Sequence, residues 1–437
     1  MLNDHPSQSD NAMADNTKTE ERTVVRAGFM PLVDCAPLVV AACKGFAENE
    51  GLTLQLVRES SWATIRDKVV FGHFEVAHML AGMPIARSLG IGHLTVPMIA
   101  PCALGLGGNA ITVSAPLFES MEQERAGLGA APASNGAALA RVVRKRASSA
   151  PLVFAMVYPV SSHNYELRYW LAAAGIHPDR DVRLVVIPPP LMADAISAGH
   201  IDGFCVGEPW NSMAVEAGTG RIVATKSEIW RQSPGKVLGC RRDWADANAG
   251  RLAALIRALY HAGQWADDPA NHEELAHLLA QPRHVGEPAR IIMRALSGRM
   301  VLAPGADPIA IPDFQNFHRH AATFPWRSHA LWFFSQMVRW GQTTLTADNL
   351  ATTAGVYRPD LYRAALAGTG AALPAASSKV EGALTRSEAV AAGKRALTLG
   401  PDGFFDGRTF DPDRVEAYID SFEINSRNGS LEIDPEG

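Results

Sequence analysis

The chain has 437 residues, a net charge of −5 from 45 acidic and 40 basic side chains, and five cysteines. That length exceeds what one hydrophobic core usually supports, so two compact units with appendages are expected. The mildly acidic balance leaves no electrostatic footprint for nucleic acid or an anionic membrane, no apolar run approaches the roughly 18 residues of a membrane helix, and Cys35, Cys43, Cys102, Cys205 and Cys240, scattered without Cys-x-x-Cys spacing, argue against a zinc site or a disulfide framework.

Residues 1–21 read as a disordered tail, and the first 22 residues contain no apolar segment suited to a secretory signal. From 24 the chain follows a strand, helix, strand rhythm: Val24 to Phe29 as strand, Pro37 through Asn49 as a helix closed by Gly51, and an alternating strand at Leu52, Leu54 and Leu56. Ser60 or Ser61 then caps a helix whose first turn contains Trp62. Gly72 and Gly199 open two copies of one pattern, Gly-His-Phe-Glu-Val-Ala-His-Met-Leu-Ala-Gly-Met-Pro at 72–84 and Gly-His-Ile-Asp-Gly-Phe-Cys-Val-Gly-Glu-Pro-Trp at 199–210. Each reads as a helix end with a left-handed glycine, a buried parallel strand and a Gly/Pro loop at the strand's carboxyl end, the edge where open α/β sheets hold ligands.

Between the copies the expectations are strands at 94–99 and 110–114 joined by the loop Gly105 to Asn109, a helix across 120–150, a strand from Leu152 to Val157 and a loop from Pro159 to Asn164. A helix from Tyr165 to Gly175, a strand at 182–187 and a helix opened by the prolines at 188–190 follow. Arg221 to Ala224 supplies a further strand, and Lys236 to Cys240 carries the chain back to the first lobe. From 251 the sequence turns helical, with a stripe of Leu252, Leu255, Ile256, Leu259 and Tyr260 and further helices at 329–341, 359–367 and 413–421. The organisation expected is an α/β fold of two lobes with a ligand cleft between them and a helical C-terminal extension. Residues 22–112 and 237–345 form the first lobe, 113–236 the second, and 346–437 a strap around the first lobe or a surface for a partner.

No catalytic constellation is present. Gly105 to Gly108 matches half of a dinucleotide fingerprint without its third glycine or its acidic residue, and there is no P-loop, nucleophile elbow or His-Glu-x-x-His. The residues suit binding an anion, which requires a cation, directed donors and a helix N-terminus. Trp62 offers an indole N–H at a helix start, or simple core packing. His163, in the Ser-Ser-His-Asn loop with Ser162, is a ligand or a capping residue. Asn109 after Gly108 brings an amide where the backbone is unobstructed, or makes an ordinary turn. Lys236 supplies the positive charge, or is one more surface lysine. Gly108, Ser162, Glu208, Pro209 and Trp210 form a hinge or cleft wall, or loop packing.

Five segments carry a resemblance: Ser61-Trp62-Ala-Thr-Ile-Arg-Asp67, Phe204-Cys-Val-Gly-Glu-Pro-Trp-Asn211, Pro234-Gly-Lys236-Val-Leu-Gly239, Phe324-Pro-Trp-Arg-Ser-His-Ala-Leu-Trp-Phe333 and Phe404-Phe-Asp-Gly-Arg-Thr-Phe-Asp411. Over most of residues 24 to 424 the chain resembles the nitrate-binding proteins of ABC-type nitrate uptake systems. The resemblance implies a type II periplasmic-binding-protein fold that closes on nitrate or nitrite without a cofactor or metal, holding it at Trp62, Asn109, His163 and Lys236. Asn109 stands where the transport proteins have glutamine, which keeps the amide but shortens its reach. The related bicarbonate-binding proteins lack this histidine and lysine. Because transport versions must be exported, the polar start of this chain makes it more similar to the cytoplasmic nitrate/nitrite sensors of the NasS type. Those pair with an RNA-binding antiterminator of the ANTAR class and release it when the anion binds. The alternatives are a substrate-binding protein of an ABC importer and an enzyme on the same fold, which would need a metal-ligating cluster that the scattered cysteines do not provide.

Overall fold

Along Thr23–Phe29 (β1) the buried Val25, Ala27 and Phe29 alternate with the exposed Val24 and Arg26, the period-two signature of a strand with one face on the core. In this computed structural model residues 23–427 are described, apart from 93, 130, 147, 148, 393 and 394, so the tail expected at 1–21 and the end of the strap at 428–437 lie outside the described residues. The other strands of the two large sheets are Leu52–Arg58 (β2), Val76–Leu80 (β3), Met98–Ala103 (β4), Asn109–Ser114 (β5), Leu152–Met156 (β6), Val182–Val186 (β7), Gly203–Gly207 (β8), Gly220–Thr225 (β9) and Lys236–Arg241 (β10).

They form two five-stranded sheets, in the orders β2-β1-β3-β10-β4 and β7-β6-β8-β5-β9. The sheets share one plan. β3 runs parallel to β1 and antiparallel to β10. Correspondingly, β8 runs parallel to β6 and antiparallel to β5. The two copies of the repeated pattern therefore occupy the same central position in two lobes, each entered from a left-handed glycine, Gly72 at φ 76° and Gly199 at φ 70°.

The helices that matter below are Ala36–Cys43 (α1), Trp62–Val70 (α2), Met83–Ser88 (α3), Ala115–Gln123 (α4), Pro132–Lys145 (α5), Ser162–Ala173 (α6), Met192–Ser197 (α7), Trp210–Glu216 (α8), Lys226–Ile229 (α9), Ala249–Asp267 (α10), Arg327–Arg339 (α11), Pro359–Leu366 (α12) and Val415–Asp420 (α13). Several local expectations need correction. α1 stops at Cys43, ahead of Gly45 at φ 81°. The strand placed at 94–99 begins instead at Met98, after Pro97, which has no N–H for a ladder. The helix across 120–150 is two, α4 and α5, with Gly127 at φ 75° between them. Within the loop at 105–109, Leu106 and Gly107 pair with Gln315 and Asn316.

The chain crosses to the second sheet through 104–108 and returns through 226–235, so β5 belongs to the second lobe and Lys236, opening β10, to the first. The strap is not confined to the first lobe. α12 packs on α10, but Phe404 stacks on Trp230 and Tyr169 at centroid distances of 4.6 and 5.8 Å, and Ser426 donates to Asp179. Lys379 holds it down from within, bridging the buried Glu381 and Asp402.

The lobes are closed on each other. A Cβ added to Gly82 would lie 2.3 Å from the Val160 carbonyl oxygen of the opposite lobe. Arg66 donates to the Tyr158 hydroxyl at 2.8 Å, the Trp210 indole to the Pro31 carbonyl at 3.1 Å, and the Val33 N–H to the Glu208 carbonyl at 2.8 Å. One apolar cluster runs without a break from Trp62, Met79 and Leu80 of the first lobe to Phe154, Leu167 and Trp170 of the second.

Candidate ligand-binding cleft

Trp62 is the first residue of α2, and Ser61 caps that helix by accepting from the Thr64 N–H at 3.2 Å. The ring is 1% exposed and its Nε1 has no hydrogen-bond partner among the described residues. It lies 5.4 Å from the His78 ring, and the Lys236 ammonium stands 5.7 Å from its centroid. From the other lobe, Ser161 caps α6 by accepting from the Asn164 N–H at 3.0 Å. This corrects the expected loop: Ser162 and His163 are the first turn of the helix. His163 is fully buried, and both of its ring nitrogens lack a partner among the described residues. Burial, with the charges of Lys236 and Lys226, holds its pKa well below the usual histidine value, so the ring is neutral and offers one donor and one acceptor.

Lys236 was expected to be a free cation, but in the structure it is paired. Its Nζ is 2.7 Å from Oδ2 of the buried Asp34. Oδ1 of Asp34 faces His78 Nε2 at 3.0 Å, and His78 Nδ1 accepts from the Met30 N–H at 3.5 Å, which assigns the ring proton to Nε2. Burial alone would raise the Asp34 pKa, yet Lys236 and His78 outweigh it and keep the carboxylate ionised. The cation at the cleft is thus offset beside its own strand.

Asn109 also differs from expectation. Its Nδ2 donates to Glu166 Oε2 at 3.0 Å and to Ser162 Oγ at 3.2 Å, which leaves the carbonyl Oδ1 as the unpartnered atom. A flipped amide would set that oxygen against the Glu166 carboxylate, so the orientation is determined and Asn109 presents an acceptor, not the donor expected. Glu166 is itself 3.0 Å from Lys226, whose ammonium donates to the Pro234 carbonyl at 2.8 Å. Asp34, His78, Glu166 and Lys226 were not singled out from sequence. The available signals were modest: His78 lies inside the first repeat copy, and Glu166 follows His163 by three residues, on one helix face.

Gly108 ends the first crossover, while Glu208, Pro209 and Trp210 follow β8 in the second lobe and touch Val33 and Pro31 of the first. Gly108 sits at φ 81°, and a Cβ there would be 1.8 Å from Gln315 Oε1, so only glycine fits. Its carbonyl accepts from the Glu208 N–H at 3.0 Å, joining the end of β8 to the start of β5. The buried Glu208 carboxyl accepts from the Ser212 N–H at 3.2 Å. Its pKa is pushed up to about 7 by burial, against the opposing effects of Ser212 and Arg294. Pro209 precedes α8, and Trp210, its first residue, reaches the Pro31 carbonyl across the lobes.

The buried groups without a full set of partners are an indole N–H at the start of α2, an imidazole at the start of α6 and an amide carbonyl at the start of β5, with a carboxylate-paired lysine opening β10. Among the described residues no group of three or more His, Cys, Asp or Glu could hold a metal ion.

The NMT1-like family model matches residues 18–280. The nitrate/nitrite binding protein NrtA of Synechococcus elongatus is 33% identical over 412 residues, covering 92% of this chain and 86% of that protein. A nitrate import ATP-binding protein, NrtC of Synechocystis, is 37% identical over 347 residues, and there the match covers 78% of this chain but only 50% of the longer relative. The crystal structure of the periplasmic nitrate-binding protein NrtA from Synechocystis superposes with a TM-score of 0.80 at 29% identity, covering 92% of this chain and 99% of that one. The fold is therefore the periplasmic-binding-protein fold. The chain belongs to the NMT1-like family, among the relatives of the NrtA nitrate/nitrite-binding proteins.

Proposed function

We propose that the protein binds nitrate or nitrite between its lobes and acts as a binding protein, not an enzyme. The observation that carries the reading is that Trp62 Nε1 in one lobe and both ring nitrogens of His163 in the other are buried and unpartnered among the described residues, with Lys236 5.7 Å from the Trp62 ring and its charge acting on His163. Buried donors in this condition are costly unless something accepts from them. A planar oxyanion has acceptors on every edge. The names of the similar proteins support nitrate and nitrite as that anion.

Small size limits the energy available. For four heavy atoms, a ceiling of about 1.5 kcal/mol per atom gives about 6 kcal/mol, or an affinity near tens of micromolar. Turning a two-state equilibrium from 1:99 to 99:1 takes about 5.5 kcal/mol of differential affinity. Open and closed forms must then be nearly balanced, and closure of His163 onto Trp62 and Lys236 is the movement the anion drives.

We read the output of that closure as signalling in the cytoplasm: a sensor that holds an ANTAR-type RNA-binding antiterminator when ligand-free and releases it on binding nitrate or nitrite. The support is the resemblance to NasS-type sensors, together with an acidic balance suited to controlling an RNA binder without touching RNA. A second reading, a substrate-binding protein of an ABC nitrate importer, is favoured by the names of the relatives. Calorimetry against nitrate, nitrite, bicarbonate and an alkanesulfonate tests the ligand, with micromolar nitrate or nitrite binding expected. Co-purification tests the output: an antiterminator retained at saturating nitrate and nitrite rejects release, and protein recovered from the periplasm favours the importer.

A further inference from the structure

Four buried charged side chains line the cleft in two closed pairs, Lys236 with Asp34 at 2.7 Å and Lys226 with Glu166 at 3.0 Å. Their formal charges cancel. Of the two histidines beside them, His78 accepts from the Met30 N–H at Nδ1 and has its Nε2 3.0 Å from Asp34 Oδ1. His163 alone has both ring nitrogens free and buried. A monoanion entering this neutral pocket would bring an uncompensated charge into a site closed to water, which is strongly unfavourable unless a counter-charge arrives with it.

We propose that the cleft takes its monoanion together with one proton, and that the ring of His163 is where that proton is held. This rests on the anion-binding reading above and adds the charge balance it lacks. The proton comes from solvent and bonds to the His163 nitrogen that carries none in the free protein. The imidazolium then presents N–H donors on both sides, and the anion accepts from it and from Trp62 Nε1. The charges facing His163 are Lys236 from β10, Lys226 from α9, Asp34 from the turn after β1 and His78 from β3, with Glu166 one turn on along α6. Burial and the two lysines keep the free ring neutral. An anion against it reverses that balance. Asp34 thereby makes the extra proton necessary, because it neutralises the charge of Lys236.

The test is calorimetry of the full chain with sodium nitrate at about pH 7 in two buffers of different ionisation enthalpy. About one proton taken up per nitrate is expected, with affinity falling about tenfold for each unit of pH between the free-state and the bound-state pKa of His163. In His163→Gln, nitrate should bind more weakly, without proton uptake and with a flat pH profile. In Asp34→Asn, where Lys236 is released to face the anion, uptake should drop toward zero while binding persists. Nitrate bound by the parent protein with identical heats in both buffers overturns the proposal, as does uptake that survives in His163→Gln. Neither test depends on the Asp34 variant folding. Failure to bind nitrate or nitrite at any pH overturns the anion reading itself, and this inference with it.

Discussion

Lys236 and Lys226 are both fully buried and both sit on a carboxylate, yet their surroundings divide the work between them. Lys226 is enclosed: its ammonium reaches Glu166 and the Pro234 carbonyl, and Glu166 in turn fixes Asn109. Lys236 has Asp34 as its partner among the described residues and stands 5.7 Å from the Trp62 ring of its own lobe. The same kind of ion pair has a second protein acceptor at Lys226 and none at Lys236 among the described residues, and on the proposed reading it is the second that can turn to the anion.

That comparison breaks first on two alanine variants. Removing either lysine leaves a buried carboxylate uncompensated, and both should lose about 3–5 kcal/mol of stability in denaturant unfolding. Their affinities for nitrate should part company. Lys236→Ala forfeits a charged contact worth about 1.5–3 kcal/mol, about tenfold to a hundredfold in affinity, whereas Lys226→Ala should keep most of its binding. Equal losses in calorimetry would erase the distinction.

A second contrast sets Asp34 against Glu208, two buried carboxyls shifted in opposite directions. Asp34, held low by Lys236 and His78 despite its burial, contributes stability above the unfolded-state pKa of 3.8, lost as the pH falls. Glu208 is raised by burial from 4.5 to about 7, so its protonated form is favoured in the fold, and stability present at about pH 4.5 is lost as the pH rises toward 7. The range corresponds to about 3 kcal/mol. Glu208→Gln should abolish that slope and make the protein relatively more stable at pH 8 than at pH 5. Parallel pH profiles for parent and variant in urea unfolding would show that the carboxyl does not carry it.

Local chemistry was legible in the sequence where one turn decides it. Gly72 and Gly199 mark helix ends because a left-handed residue is needed there, and the apolar runs after them became the central strands of both sheets. Which serine caps α6 was less legible: in Ser161-Ser162-His163 any early residue can cap, and the choice of Ser161 moved His163 from a loop into the helix. The pairing of Asp34 with Lys236 spans 202 residues and leaves no local periodicity to read. The same holds for Phe404 on Trp230, which draws the strap to the second lobe through ring stacking that no window of sequence contains. Trp62, Asn109, His163 and Lys236 were reached through a resemblance. The chemistry of Asn109 was reversed by Glu166, a neighbour that only the fold supplies.

The smallest effect is expected at Trp62, where stability and affinity should move in opposite senses. In the closed form its indole N–H has no protein acceptor, so Trp62→Phe removes a buried unsatisfied donor and should leave unfolding stability unchanged or slightly raised, less the packing of the lost ring atoms. On the proposed reading the anion accepts from that N–H, and its loss should cost about 1–1.5 kcal/mol, about a tenfold rise in the nitrate dissociation constant. Lys236→Ala lowers both quantities because its partner Asp34 belongs to the protein; Trp62→Phe should lower only one because its partner does not. If nitrate affinity is untouched in Trp62→Phe, the indole is core packing against His78, and the first lobe contributes Lys236 alone.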